Sequence, residues 1–232
     1  MSRLEELNRI NSVPILDVRS EAFSRYGRVI DNCDVRPLIE YLQDNTQIPQ
    51  EGNVYVASVP EMEAIPAAGQ LRKSFRGDGP VQVGYCNGKN STYNGFEYHR
   101  GGEINVAATD LMLVLGHSED ISEELTYSVD QAQPFFLKKG TVIELYPDTL
   151  HLSPLRTQDS GFKALVMLEK GTNTPLSGEE KASATRAAES GDREARLLLQ
   201  RNKWVISHPD RKPLIDQGAW PGVTGENREL KY

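Results

Sequence analysis

The sequence has few cysteines and no long apolar run. Its two cysteines, Cys33 and Cys86, lie far apart and form no C-x-x-C pair, so neither a disulfide framework nor a structural zinc knuckle is predicted. Thiols of this kind are typical of a chain kept reduced in a cytoplasm, which is the expected location. The first residues lack the apolar core of a signal peptide. No segment reaches the ~18 apolar residues of a membrane-spanning helix, so no membrane partner is expected.

Basic clusters are also absent, and the formal net charge is −7. An acidic chain without a basic block is poorly suited to bind nucleic acid or an anionic membrane surface. The composition, with 38% hydrophobic and 25% charged residues, is otherwise that of an ordinary globular protein. A small-molecule partner is therefore expected.

The chain is predicted to form one domain, residues 1–232, with three zones. Residues 1–50 form a packing segment that includes a helix over Arg36–Asp44, where the apolar spacing is helical. Residues 51–170 contain short apolar segments separated by Gly, Pro, Asn and Asp, a pattern typical of an antiparallel sandwich or barrel. Residues 171–232 predict a helix that opens at Ser177, followed by a loop tail rich in Pro and Gly. The eight predicted strands are Asn53–Val59, Val81–Asn87, Phe96–His99, Ile104–Ala107, Asp110–Leu115, Gln133–Leu137, Val142–Tyr146 and Phe162–Leu168.

Residues 96–103, FEYHRGGE, carry the clearest chemical pattern. Side chains alternate along a strand, so Glu97 and His99 would lie on one face and Tyr98 on the other. The Gly-Gly turn that follows would allow Glu103, at the start of the next strand, to fold back toward them. Two carboxylates and one imidazole would then converge on one point.

Residues 139–151, KGTVIELYPDTLH, form a second informative stretch. The pattern predicts a turn, a strand and another turn that ends at His151, which could complete the cluster from across a barrel. Within the strand, Glu144 lies on the face opposite Ile143 and Leu145. A glutamate that points inward would be a ligand or a general base, whereas one that points outward would be a solvated strand residue.

The two stretches resemble the two motifs of the cupin superfamily. The first cupin motif usually reads H-x-H-x3–4-E, and here it reads E-x-H-x3-E, with Glu97 in place of the first histidine. The second usually reads G-x5-P-x-G-x2-H-x3-N. Gly140, Pro147 and His151 match it with the spacing off by one on each side of the proline, and without the second glycine or the asparagine. Through residues 98–105, 140–146 and 170–175, the chain also resembles an uncharacterised family of cupin-like bacterial proteins.

This resemblance implies a mainly β fold, a cupin-type double-stranded β-helix or jelly-roll barrel, with peripheral N-terminal and C-terminal helices. It also implies one divalent metal ion held by Glu97, His99, Glu103 and His151. Carboxylate and imidazole ligands suit Mn, Zn, Fe, Co or Ni. Four protein ligands would leave a position open for a substrate. Barrels of this class often pair through edge strands, so a homodimer is expected.

The favoured hypothesis for function is a metal-dependent isomerase or epimerase. Its substrate would be a sugar or a sugar phosphate, and the reaction would pass through an enediolate. Glu144 would move the proton, and Lys163 would be the cationic partner of a carboxylate. Arg100, Asn105 and Tyr146 would contact the substrate.

Three alternatives stay open. Residues 21–30, EAFSRYGRVI, are similar to the opening of cupin-like ureidoglycolate lyases, which would imply a 2-hydroxy carboxylate held by Arg100. A non-haem iron dioxygenase ranks lower, because such sites favour two or three histidines. A sugar-binding cupin without turnover is the third alternative, since fold alone does not determine activity.

Overall fold

The computed structural model describes residues 1–232, with helices arranged around a mainly β centre. The α-helices are α1 (Arg3–Ile10), α2 (Arg36–Asn45), α3 (Pro60–Glu63), α4 (Pro66–Ser74), α5 (Gly178–Glu189), α6 (Arg193–Leu197) and α7 (Lys212–Asp216). Short 3-10 helices span Glu21–Arg25, Ser118–Asp120 and Val129–Gln131. The strands are β1 (Leu16–Asp17), β2 (Gly27–Val29), β3 (Asn53–Val56), β4 (Val81–Gly88), β5 (Gly95–Tyr98), β6 (Glu103–Ala107), β7 (Leu111–His117), β8 (Tyr127–Ser128), β9 (Gln133–Leu137), β10 (Val142–Leu145), β11 (Thr149–Leu150), β12 (Leu155–Arg156), β13 (Phe162–Glu169), β14 (Leu198–Gln200), β15 (Lys203–Ser207) and β16 (Val223–Thr224). No helix combines the length and the apolar character needed to cross a bilayer.

The larger sheet has the strand order β2-β10-β6-β13-β4-β3 and is antiparallel throughout. In its register, Ile143 of β10 lies opposite Asn105 of β6, and Glu144 lies opposite Ile104. Residues that lie opposite each other point to the same face of a sheet. This register therefore places Asn105 and Glu144 on opposite faces.

The remaining strands form a second wall. β1, β9, β7 and β11 follow one another in order, and β12 also pairs with β7. A bridge between Glu97 and His151 links the end of β11 to β5, and β5 continues through β15 to β14. The strands thus form several sheets joined by short bridges, and not one continuously closed barrel.

Three buried apolar clusters fill the molecule, one between the two walls and one behind each wall. The inner cluster joins residues such as Leu113 and Phe135 of the second wall to Ile143 of the larger sheet. The cluster behind the larger sheet packs that sheet against α2 and α4. The third lies behind the second wall and includes Trp204 of β15. Neighbouring residues of one strand supply different clusters: Leu113 of β7 belongs to the inner cluster and Met112 to the cluster behind the second wall.

All eight predicted strands are confirmed, with ends that shift by a few residues at most. The helix at Arg36 and the helix capped by Ser177 are confirmed as well; the Ser177 side chain accepts a hydrogen bond from the Glu180 amide. The prediction that the tail holds only a helix and loops is wrong. Gly191, with φ of +100°, separates α5 from the short helix α6. Strands β14 and β15 then follow α6 as part of the second wall.

Candidate metal centre

Two neighbouring strand ends in the second wall place three polar side chains side by side. Glu97 lies on β5, and His99 follows the last residue of that strand. The amide of His151 donates to the carbonyl of Glu97 at 2.9 Å, and the amide of Glu97 donates to the carbonyl of His151 at 2.5 Å. This reciprocal pair fixes the histidine after β11 directly beside β5.

Glu103 reaches the same point from the opposite wall, where it begins β6. Its Oε2 atom lies 3.5 Å from Nε2 of His99 and 3.3 Å from Nε2 of His151. Oε1 of Glu97 lies 3.8 Å from Nε2 of His99. All four side chains are buried. The convergence predicted from the sequence is thus present in the structure.

Both imidazole rings are oriented through their second nitrogen. Nδ1 of His99 lies 2.6 Å from the carbonyl oxygen of Asn202, and Nδ1 of His151 lies 2.8 Å from that of Thr149. A carbonyl oxygen can only accept, so each Nδ1 carries a proton and each Nε2 is directed at the cluster, where the neutral ring would offer its lone pair to a metal ion. Metal-bound histidines are usually oriented by a hydrogen bond of this kind.

The residues present fit a divalent cation. Nε2 of His99 is buried and has no hydrogen-bond partner, a rare situation for a polar atom that has no other use. Glu97, His99 and His151 each offer a ligand atom, and these atoms lie within 4.8 Å of one another. Nitrogen and oxygen donors without thiolate match the first-row divalent metals. The cluster can therefore bind a metal ion.

The charges within the cluster shift the pKa values of its members strongly. Burial by itself raises the pKa of Glu103, but the neighbouring His151 and His99 outweigh it and hold that pKa far below its usual range. Burial also raises the pKa of Glu97, yet Lys203 and both histidines hold it below its usual value. For His151, burial lowers the pKa, whereas the Glu103 and Glu97 carboxylates raise it to about 9. Without metal, a protonated His151 therefore forms an ion pair with the Glu103 carboxylate.

This arrangement predicts how the stability of the metal-free protein depends on pH. The raised pKa of His151 stabilises the fold fully below the unfolded value of 6.5, and the stabilisation is lost as the pH rises toward about 9. The lowered pKa of Glu103 stabilises the fold above its unfolded value of 4.5. We expect the metal-free protein to lose roughly 2–3 kcal/mol of unfolding free energy between these two histidine pKa values.

Urea unfolding of the chelator-treated protein at a series of pH values measures this effect. His151→Gln is the matched control, because an amide does not titrate and the pH dependence should flatten. A wild-type curve that is as flat as that of the variant would contradict the ion pair. With metal bound, the fall in unfolding free energy at rising pH should also disappear, because the ion takes the place of the His151 proton.

A cavity of about 200 Å³ opens beside the cluster. Glu97, Glu103 and His151 form one of its walls, and Asn105, which the sequence analysis proposes as a substrate contact, also lines it. The Asn105 Nδ2 group donates to Oε1 of Glu103 at 2.9 Å, so the amide orients the carboxylate. The cavity is large enough for a small polar compound in contact with the cluster.

Sequence reasoning missed two basic residues of this cavity, Lys203 and Arg211. The Lys203 ammonium lies 2.5 Å from Oε2 of Glu97. Val205 pairs with Glu97, and Lys203, two residues before it on β15, points to the same face. The β-branched run at residues 205–206 was the available signal for this strand.

Glu144 does not belong to the centre, and the prediction that it is the catalytic base is wrong. It points to the outer face of the larger sheet, away from Asn105, yet it is only 1% exposed. Nε of Arg28 donates to its Oε2 atom at 2.7 Å, and the amide of Arg76 donates to Oε1 at 2.6 Å. Glu144 is thus a buried ion-pair partner, neither an inward base nor a solvated strand residue.

Lys163 is also not catalytic. Its ammonium donates to the carbonyl oxygens of Leu42 and Thr46 at 2.7 Å each, and to that of Gln43 at 3.2 Å. These carbonyls end helix α2, where a cation interacts favourably with the helix dipole and satisfies free acceptors. Lys163 therefore anchors a peripheral helix to the outer face of the larger sheet.

Two predicted substrate contacts lie outside the cavity. Arg100 is exposed, pairs with Glu194 at 2.5 Å and lies over the Trp204 ring, 4.9 Å from its centre. Tyr146 stacks against the guanidinium of Arg76 at 5.5 Å on the outer side. Both were expected near the metal because they flank the motifs in sequence, but the chain turns outward at each position.

Two facing walls of mainly antiparallel strands, with a buried carboxylate–imidazole cluster between them, define a cupin-type fold, as the two motifs predicted. The chain belongs to the family described as a domain of unknown function, DUF4867, whose family model matches residues 15–228. No curated protein matches the sequence.

Solved structures with partial similarity include a cupin domain protein and two enzymes. A cupin 2 domain-containing protein from Halorhodospira halophila is 13% identical, with 72% of this chain and 94% of that chain covered and a TM-score of 0.33. A salicylate 1,2-dioxygenase variant from Pseudoaminobacter salicylatoxidans is 10% identical, with 64% and 33% covered and a TM-score of 0.31. An oxalate decarboxylase variant from Bacillus subtilis is 11% identical, with 64% and 34% covered and a TM-score of 0.34. This chain spans about a third of the length of these two enzymes.

Proposed function

We propose that the protein is a metal-dependent isomerase or epimerase of a small hydroxy-carbonyl compound, with a sugar as the substrate. The observation that carries the proposal is the pair of imidazole Nε2 atoms directed at two carboxylates on the wall of a polar cavity. A Mn, Zn, Fe, Co or Ni ion held there would supply Lewis-acid stabilisation of negative charge on a carbonyl oxygen.

The residues of the chain would bind and orient the substrate and move the proton. Lys203 is the proton carrier that we assign in place of Glu144, because it lines the cavity and its ammonium contacts Glu97. Asn105 and the amides around it offer donors and acceptors to hydroxyl groups. A binding protein without turnover would need the same cluster but no proton carrier, so activity distinguishes the two.

A test is to incubate the metal-loaded protein with a panel of aldoses and ketoses in D2O and to follow isomerisation and deuterium incorporation by NMR. We expect deuterium at a carbon next to the carbonyl of at least one compound. Lys203→Arg keeps the positive charge beside Glu97 but cannot readily release a proton. This variant should retain metal and lose activity by about a hundredfold or more.

Lys170→Arg, an exchange at a strand end outside the cavity, is the matched control and should keep full activity. Deuterium incorporation in no compound of the panel would contradict the isomerase. Full activity in Lys203→Arg would leave the isomerase in place but show that another group moves the proton.

A further inference from the structure

The cavity beside the metal centre carries an unusual balance of charge for this protein. The chain as a whole has a net charge of −7. In the cavity wall, however, Glu97 and Glu103 are the only acidic residues, whereas Lys203 and Arg211 are both basic. One divalent ion would neutralise the two carboxylates, and the two basic side chains would then leave the loaded cavity positive.

The other ionisable groups of the wall do not reverse this balance. Burial raises the pKa of the Cys86 thiol to about 12. Burial also raises the pKa of the Tyr55 hydroxyl, an effect that its hydrogen bond from Asn173 only partly offsets. Both groups are therefore neutral at physiological pH, and the positive charge remains for a bound compound.

Arg211 is a cation of the cavity wall without an acidic partner. Arg100, Arg201 and Arg228 each pair with an acidic side chain, whereas Arg211 forms no ion pair and lines the cavity, half-buried. A guanidinium presents several N–H donors in a fixed plane that matches phosphate and carboxylate oxygens. In a partly buried cavity, such an unpaired cation favours an anionic ligand.

A second group of the wall lacks a partner. Oδ1 of Asn173 is buried without a hydrogen bond, although the Nδ2 group of the same side chain donates to the Tyr55 hydroxyl at 3.1 Å. A free amide oxygen is an acceptor and requires a donor, such as a hydroxyl group. The wall thus combines a cation for an oxyanion with an acceptor for a hydroxyl.

We propose that the ligand of this cavity is a polyhydroxy compound that carries an oxyanion group, a phosphate or a carboxylate, and that Arg211 binds this group. The oxyanion lies at the Arg211 side of the cavity, and a hydroxyl group donates to Asn173. This inference rests on the proposed function in that it names the substrate class of the same site.

Binding of matched compounds tests this inference without relying on turnover. Each set contains a neutral sugar, its phosphate and its sugar acid, for example glucose, glucose 6-phosphate and glucuronate, with corresponding sets built on other hexoses and pentoses. Affinities are measured by calorimetry on the metal-loaded wild type, Arg211→Gln, Arg211→Lys and Arg186→Gln. Arg186 lies exposed on α5, so its replacement makes the same charge change away from the cavity.

In at least one set, an acidic member should bind about tenfold more tightly than its neutral parent. Arg211→Gln should remove this preference, Arg211→Lys should retain part of it, and Arg186→Gln should leave it unchanged. A preference for the phosphate or for the acid identifies which oxyanion is recognised. The inference is wrong if no acidic compound binds more tightly than its parent, or if Arg211→Gln behaves like Arg186→Gln.

Failure of this inference can be separated from failure of the isomerase proposal. Oxyanion-dependent binding that is lost in Arg211→Gln, without isomerisation of any compound, would keep the inference and overturn the isomerase. Isomerisation of a compound by the wild type, with no acidic compound binding more tightly than its neutral parent, would keep the isomerase and overturn the inference.

Discussion

Replacement of His99 by alanine should lower the affinity of the centre for its metal ion by more than about a hundredfold. The Nε2 atom of His99 is buried without a hydrogen-bond partner. What distinguishes it from the other buried nitrogens that lack a partner is its position, 3.5–3.8 Å from the carboxylates of Glu103 and Glu97. Loss of a group that only orients a ligand already costs 10–100-fold in metal affinity. Loss of the ligand itself should cost more, and competition with a chelator of known affinity measures the change.

His117→Ala is the matched control for this experiment. His117 lies at the end of β7, where its ring stacks on that of Tyr26 at 4.5 Å, outside the cluster. The control should keep wild-type metal affinity. Equal affinities for wild type and both variants would show that the metal, if any, binds elsewhere.

The second large effect should be on stability, at the buried ion pair of Glu144. Arg28→Met should lower the unfolding free energy by about 3 kcal/mol, because it removes the nearest cation of a buried carboxylate and leaves only Arg76, 4.0 Å away. The Glu144 side chain is only 1% exposed, and Arg28 donates to it at 2.7 Å. Urea unfolding near neutral pH measures the loss, and the exposed Arg25, replaced in the same way, is the matched control.

A double variant separates the ion pair from general loss of packing. Arg28→Met combined with Glu144→Leu removes both charges and should recover a large part of the lost stability. Metal content should be unchanged in all these variants, because Glu144 lies on the face opposite the metal centre. Loss of metal in Glu144→Leu would contradict this placement and restore Glu144 as a member of the site.

Local patterns were sufficient for most of the fold and for the core of the candidate site. The strand over 133–137 was predicted with its observed ends, because alternation and turn residues mark short strands directly. Glu97, His99 and Glu103 lie within seven residues of sequence, so strand alternation and one Gly-Gly turn were enough to bring them together. His151 followed from a single turn after a strand.

Orientation and distant contacts were not available from the sequence. Alternation shows that Glu144 faces away from Ile143, but it does not show which of the two faces lines the cavity. Arg28, the cation that pairs with the buried Glu144 carboxylate, lies 116 residues away in sequence. Lys203 was missed for the same reason, because its partner Glu97 lies on β5, far from β15 in sequence.

The central claim is that Glu97, His99, Glu103 and His151 form a metal centre. The most direct test is the metal content of the wild-type protein, purified without a metal-affinity tag and measured by mass spectrometry. We expect near-stoichiometric Mn, Zn, Fe, Co or Ni in the wild type, and no bound metal in His99→Ala. A metal-free wild type whose melting temperature does not rise when any of these ions is added would contradict the central claim.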